Sequence, residues 1–192
     1  KEVDLTFNHA LSSIVFSASR GESSSNIQIT GIKIEGTFIV EGDFNQKVSK
    51  DETVTDRYVE KSVPEWTNTE TAEKKIDNDT HYSPSFTPFN VTTTPKIFTS
   101  GTSALLLIPQ TIPDDACVTI EYTSGSTSLP GSATVYFKDF VNVDTGADEV
   151  DRWEIGKRYI YRFQFGNGKL IYFNPSVENW VSGGTLYTDI AH

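Results

Sequence analysis

The chain has 192 residues, of which 36% are hydrophobic, and this length suits one β domain with a single core. Its 16 Lys and Arg against 26 Asp and Glu give a net charge of −10 without a basic cluster, which excludes nucleic acid as a partner. The single cysteine, Cys117, excludes an internal disulfide, and no window reaches the ~18 apolar residues of a membrane-spanning segment.

The first forty residues predict two strands, each with a change of register. Apolar side chains alternate on odd positions over 3–7 and on even positions over 10–18, so a β-bulge is expected between them. In the second strand the apolar phase changes across Thr30 and Gly31, where glycine permits a second bulge.

The segment 42–102 is the least regular part of the chain, because polar clusters and prolines interrupt it. A structureless loop of this length is unusual in a compact domain, so we expect one or two short strands or a hairpin within it. Its aromatic residues are open to two interpretations, core packing or stacking on a sugar, and the candidate ligand-facing residues are Trp66, Tyr82, Phe86 and Phe89.

Five further strands are predicted in the second half of the chain. The apolar run 104–108 suits a strand buried on both faces, and alternating strands follow over 118–122 and to about 141. Residues 159–165 and 170–172 alternate on either side of a Gly-Asn-Gly turn, which predicts a β-hairpin.

Together these patterns predict an all-β fold, a two-layer antiparallel β-sandwich with about seven or eight principal strands and Greek-key connections. No amphipathic helix is apparent. Trp153 and Trp180 lie beside alternating apolar residues, so both are expected in the core.

One motif resembles catalytic machinery. Asp144-Thr145-Gly146 matches the aspartic-protease triplet, but such an enzyme needs two of these carboxylates sharing a proton, and the chain contains one triplet. An acidic turn is the better interpretation. We therefore expect no enzymatic activity.

Metal and cofactor chemistry also lacks a starting point. The three histidines, His9, His81 and His192, are far apart, and residues 77–79 lack the rest of a calcium loop. Cys117 lies in an apolar run and is expected to be a small buried hydrophobe. We expect no metal ligands and no cofactor.

Four short patches of residues follow one another in a familiar order. They are Phe7-x-His9-Ala10-Leu11, Ile108-Pro109-Gln110, Trp153-x-x-Gly156-x-x-Tyr159-x-Tyr161 and Val177-x-x-Trp180. In this order and spacing they resemble the C-terminal domain of the fimbrillin family, the subunits of type V pili on Gram-negative anaerobes.

The resemblance implies a transthyretin-like sandwich that acts in pilus assembly and adhesion as a tip, anchor or stalk component. Family subunits are exported as lipoproteins to the outer-membrane surface and join other pilin subunits by β-strand addition, with a host protein or glycan as a further partner. The sequence has no methionine, so we expect a piece of a larger precursor whose N-terminal domain is absent. Residues 1–192 would then form one sandwich domain, with 42–102 as an insertion and 182–192 as a tail.

The tail is a candidate donor strand. Gly183 and Gly184 are typical of a hinge, and Leu186, Thr188 and Ile190 alternate as an added strand would. The segment is expected either to pack on its own sandwich or to add to the next subunit. The rival interpretation of the whole chain is a surface glycan-binding lipoprotein module that uses the aromatic residues of the middle segment.

Overall fold

The structure, a computed structural model, describes residues 9–22, 24–50, 60–67, 73–76, 87–99, 104–140, 150–166 and 169–180. These residues form β-strands and one 3₁₀ turn, Phe137–Asp139. The strands are β1 Ser12–Arg20, β2 Ile27–Ile39, β3 Asp43–Lys50, β4 Glu60–Thr67, β5 Glu73–Ile76, β6 Phe89–Asn90, β7 Lys96–Ile97, β8 Leu105–Leu107, β9 Gln110–Thr111, β10 Cys117–Ser124, β11 Leu129–Tyr136, β12 Arg152–Trp153, β13 Lys157–Gly166 and β14 Lys169–Asn179. Within the described ranges no helix is long and apolar enough to cross a bilayer.

The first sheet has the order β14-β13-β1-β7, and β8 also pairs with β1. Strand β1 runs parallel to β13 on one side, whereas β7 and β8 share its other edge in antiparallel pairing. Strand β1 is buried on both faces, since the outward-facing Ser13, Val15 and Ser17 are at most 3% exposed.

The second sheet has the order β11-β10-β2-β5, with β6 also pairing β2. The register between β10 and β2 shifts between Glu121 and Tyr122, where Gly31 and Ile29 are the successive partners. Thr30 is therefore the extra residue, and the predicted bulge at Thr30-Gly31 is confirmed.

The core lies between these two sheets and is filled by alternate residues of their long strands. Phe16 of β1 and Tyr161 of β13 have ring centroids 5.9 Å apart, and Phe38 of β2 packs on Trp153 at 6.1 Å. All four side chains are at most 1% exposed, so each contributes a large burial free energy of about 1.5–3 kcal/mol. The predicted all-β sandwich is confirmed, with the parallel β1–β13 pair as an exception to its antiparallel pairing.

Two smaller elements flank the core. Strands β9 and β12 pair at one end, and β3 and β4 form a separate antiparallel hairpin from Asp43↔Thr67 to Lys50↔Glu60. The hairpin expected within the middle segment is therefore confirmed.

Three details of the sequence-based prediction are wrong. Leu106 is 47% exposed, because it lies on the outer face of the first sheet, so the run 104–108 is not buried on both faces. Strand β11 ends at Tyr136, because the following 3₁₀ turn directs both Phe137 and Phe140 into the core. Trp180 is half-buried at the end of β14 and is not part of the core cluster.

Candidate interaction surfaces

Trp153 and Tyr161 form a buried polar pair in the centre of the sandwich. The indole Nε1 of Trp153 donates a hydrogen bond of 2.9 Å to the hydroxyl oxygen of Tyr161, and both side chains are 0% exposed. Burial raises the pKa of Tyr161 because the phenolate would be desolvated. This tyrosine is thus held neutral as a hydrogen-bond acceptor for the tryptophan.

Gly156 joins three strands at one end of the first sheet. Its φ of +68° lies in the left-handed region that glycine adopts at low cost. Its N–H donates to the carbonyl of Leu11, its carbonyl accepts from the N–H of Trp180 at 2.7 Å, and nearby the Tyr159 hydroxyl accepts from the N–H of Glu154. The Trp-x-x-Gly-x-x-Tyr pattern is therefore a structural junction.

Gln110 acts as a side-chain extension of the second sheet. Its Oε1 accepts from the N–H of Ile39 at 2.9 Å, and its Nε2 donates to the carbonyls of Ile39 at 3.2 Å and Ile108 at 2.9 Å. The amide is 4% exposed and satisfies the backbone of Ile39 as a paired strand would. The Ile-Pro-Gln patch thus fixes the end of β2.

The candidate chemical residues do not form a reactive site in the described part of the chain. Cys117 is a buried free thiol whose pKa is raised by desolvation and by the neighbouring Glu35 and Asp115. His9 stacks on Trp180 with ring centroids 3.5 Å apart. The described residues contain no group of three or more potential metal ligands. The triplet at Asp144, the acidic residues 77–79, His81 and His192 lie outside the described residues.

The outer edge of β14 is a candidate docking edge. The N–H of Trp180 donates to the carbonyl of Gly156, and every second residue of β14 before Trp180 is hydrogen-bonded to β13 in the same way. The backbone N–H and carbonyl groups of the residues between them, Val177 and Asn179, therefore point away from β13. The side chain of Val177 lies on the same sheet face as its partner Tyr159, yet it is 46% exposed against 2% for Tyr159. The inner face of the sandwich is therefore uncovered at this edge.

The outer edge of β11 is a second candidate, on the other sheet. No described strand pairs with it, and it carries two of the large exposed hydrophobic side chains, Leu129 at 62% and Tyr136 at 45%.

A cluster of rings lies where the β3–β4 hairpin meets the sandwich. The Nε1 of Trp66 donates to the carbonyl of Ala10 at 2.6 Å, and its ring lies 5.4 Å from that of Phe44, which is 40% exposed. Ala10 follows His9, whose ring stacks on Trp180. We call Phe44, Trp66, His9 and Trp180 the hairpin-base cluster.

The candidate ligand-facing aromatics do not all come together. Phe89 pairs with Ile29 and packs on Phe98 at 5.9 Å, and the N–H of Phe98 donates to Phe16 in the middle of β1. Trp66 instead donates to Ala10, which precedes β1. Tyr82, Phe86 and the candidate donor residues Leu186, Thr188 and Ile190 lie outside the described residues.

Sequence reasoning missed Phe44 and Trp180 as surface rings. The position of Phe44 could have been found from the sequence. A hairpin that turns within the polar segment between Phe44 and Trp66 places these two residues opposite each other.

Two solved structures to which the chain is similar are described as a fimbrial protein and a putative cell adhesion protein. A fimbrial protein from Bacteroides vulgatus matches with a TM-score of 0.45 and 14% identity over 91% of this chain and 55% of its own. A putative cell adhesion protein from Parabacteroides distasonis matches with a TM-score of 0.49 and 10% identity over 93% of this chain and 54% of its own. The chain therefore spans about half the length of these proteins.

A search of the curated proteins finds no match. The fimbrillin-like family model, however, matches residues 1–180, which include all four of the patches described above. On this match the chain belongs to the fimbrillin-like family.

Proposed function

We propose that the chain is a structural subunit of a cell-surface pilus, acting in assembly and adhesion through β-strand addition. The observation that carries the proposal is the β14 edge, where no described strand pairs with the outer side and the inner-face side chain of Val177 is 46% exposed. An added strand satisfies both needs at once, because its backbone extends the sheet and its alternate side chains cover the core.

The donor in this proposal is the tail of a neighbouring subunit. Leu186, Thr188 and Ile190 supply three side chains on one face of an extended strand, which suits the exposed apolar surface beside Val177. Gly183 and Gly184 allow the chain to leave its own sandwich. The buried junctions at Gln110 and Trp153 keep the acceptor rigid, so little ordering cost is added on assembly.

The proposed location follows from family membership. The subunit is exported as a lipoprotein precursor, as in the family pattern, and it lies in a fimbrium attached to the outer membrane. Its partners are other pilin subunits, together with a host protein or glycan at the adhesive surface.

Replacement of Val177 by Asp tests the β14 edge. A charge at this position opposes burial under an added strand, so Val177→Asp should lower the extent of polymerisation at least tenfold. The matched control is Val40→Asp, since Val40 is 39% exposed and lies outside the edge. Polymers are measured by size-exclusion chromatography and electron microscopy. Equal polymerisation of both variants would contradict strand addition at β14.

Deletion of residues 183–192 tests the donor. Loss of polymerisation with an unchanged melting temperature indicates a donated strand, whereas a lowered melting temperature indicates a strand packed on its own sandwich. Unchanged behaviour in both measurements rules out both roles.

The hairpin-base cluster favours glycan binding as a second candidate function. Trp66 is oriented by its hydrogen bond to Ala10, and Phe44 beside it is 40% exposed, which suits stacking on a sugar. A glycan array tests this function. Reproducible binding that is lost in both Phe44→Ala and Trp66→Ala but kept in Phe89→Ala supports a glycan-binding module, and binding unaffected by the first two variants refutes this site.

A further inference from the structure

Among the described residues, strand β11 lies at the edge of the second sheet, and Pro130 is its one protective feature against pairing. Natural edge strands carry charges, prolines, bulges or covering segments that prevent edge-to-edge association. Although 22% of the chain's residues are charged, the sequence of β11, LPGSATVY, contains no charged residue. Its pairing with β10 is continuous, without a register shift.

The backbone groups on the free side of β11 can be assigned. The N–H of Phe137 donates to the carbonyl of Ala116 at 2.9 Å, which continues the register of Cys117 with Tyr136. In an antiparallel ladder this bond makes the Cys117–Tyr136 pair non-hydrogen-bonded. Alternation along the strand then directs the backbone of Pro130, Ser132, Thr134 and Tyr136 outward.

Proline occupies the outward position where its missing N–H disturbs no bond to β10. Pro130 pairs with Thr123 in a non-hydrogen-bonded pair, so the ladder of the second sheet is complete without its nitrogen. The free edge thus offers three N–H groups and four carbonyls, and no other described residue is hydrogen-bonded to them.

We propose that the β11 edge binds the β11 edge of a second copy of this chain, in an antiparallel arrangement with two-fold symmetry. This contact goes beyond the proposed function, since it uses the other sheet and needs no tail. It would join subunits in addition to the strand addition proposed at β14.

A second copy is the occupant that the strand fits best. When Ala133 lies on the two-fold axis, Ser132 faces Thr134 of the second copy and each bonds the other through its N–H and carbonyl. The N–H of Tyr136 then donates to the carbonyl of Pro130 of the second copy, whereas the carbonyl of Tyr136 finds no donor on that proline and stays bonded to water. The 45%-exposed ring of Tyr136 lies against that pyrrolidine ring, and the two inner faces remain aligned.

The strength of this contact is limited by charge and size. Each copy carries a net charge of −10, which opposes association at low ionic strength. A single strand pair is also smaller than a standard stable interface. A dissociation constant on the order of 100 µM is expected, and it should fall when salt is raised from about 0.05 to about 0.5 M.

Substitutions at Ser132 test the proposal on the full chain. Ser132→Pro removes one outward N–H, and Ser132→Lys places like charges across the two-fold axis; either change should raise the dissociation constant at least tenfold. Because Ser132 faces Glu121 on β10, the lysine has an opposite charge beside it in the monomer and should not unfold it. Ser132→Thr is the matched control and should leave the constant within about twofold.

Sedimentation equilibrium measures the association at protein concentrations from about 5 µM to about 1 mM. This range runs from roughly twentyfold below to roughly tenfold above the expected dissociation constant. A monomer–dimer equilibrium weakened by Pro and Lys but not by Thr supports the proposal. A monomer throughout, or a dimer insensitive to both substitutions, overturns it. Binding of a 183–192 peptide that Ser132→Pro abolishes, with no dimer formed, overturns it in favour of the tail as occupant.

Discussion

Replacement of Gln110 by Leu should destabilise the fold strongly, although it keeps a side chain of similar size. The substitution removes three hydrogen bonds, to the N–H and carbonyl of Ile39 and the carbonyl of Ile108. At about 1 kcal/mol net for each bond, and with a backbone N–H left without its acceptor, the free energy of unfolding should fall by about 3–4 kcal/mol. For a chain of this size the melting temperature should fall by roughly 10 °C.

Gln28→Leu is the matched control for this substitution. Gln28 also donates from Nε2, at 3.1 Å to Asn90 Oδ1, but this bond is exposed to solvent. Its loss should therefore cost less than about 0.5 kcal/mol. Urea unfolding followed by tryptophan fluorescence measures both variants, since Trp153 reports directly on the core.

Gln110→Glu separates the hydrogen bonds from simple packing. The introduced carboxylate would face the carbonyls of Ile39 and Ile108, which raises its pKa in the folded state above the ~4.3 of an unfolded glutamate. A group with a raised folded pKa gives stability at low pH that is lost as pH rises, so this variant should lose stability relative to the wild type between about pH 4 and pH 7. A cost for Gln110→Leu below about 1 kcal/mol, equal to that of Gln28→Leu, would refute the reasoning.

Four further predictions concern the core. Tyr161→Phe leaves the Trp153 indole N–H unpaired, so unfolding free energy should fall by about 1–3 kcal/mol in the same urea assay, and no loss would contradict the buried bond. Because burial raises the pKa of Tyr161, wild-type stability should fall as pH rises above about 10, less steeply in the Phe variant. Gly36→Ala should cost about 2 kcal/mol or more, because Gly36 has φ of +149° and a Cβ would lie 2.7 Å from Ala116 Cα; a neutral effect on the melting temperature would refute this close approach. Cys117 should react with a thiol reagent at least a hundredfold more slowly in native than in unfolded protein, and fast native labelling would contradict its burial.

The sequence predicts the elements whose signals are local. Alternation from Tyr159 to Phe165 and the Gly-Asn-Gly turn predict the β13–β14 hairpin, and the phase change at Thr30-Gly31 predicts the bulge in β2. Both signals depend on which face each side chain presents, and this is set within a few residues of chain.

The features that depend on distant partners could not be predicted in the same way. An apolar run such as Leu105–Leu107 suits burial on both faces, but whether its middle residue is covered depends on what packs outside the sheet. Trp180 has the pattern of a core residue, yet β14 is an edge strand, so its ring lies against His9 at the margin.

The candidate docking edges have the same dependence. Val177 and the uncharged β11 become candidates only once the strand order shows which strands lie at sheet edges. For Trp66, the sequence indicated an aromatic available to a ligand, but not the hydrogen bond to Ala10 that orients it.

Residue-resolved amide hydrogen exchange tests strand addition at β14 most directly. In the isolated chain the outward amides of Val177 and Asn179 should exchange rapidly, and in the assembled pilus they should slow by about a hundredfold or more as they bond to an added strand. Equal exchange rates in the isolated and assembled states would contradict the account.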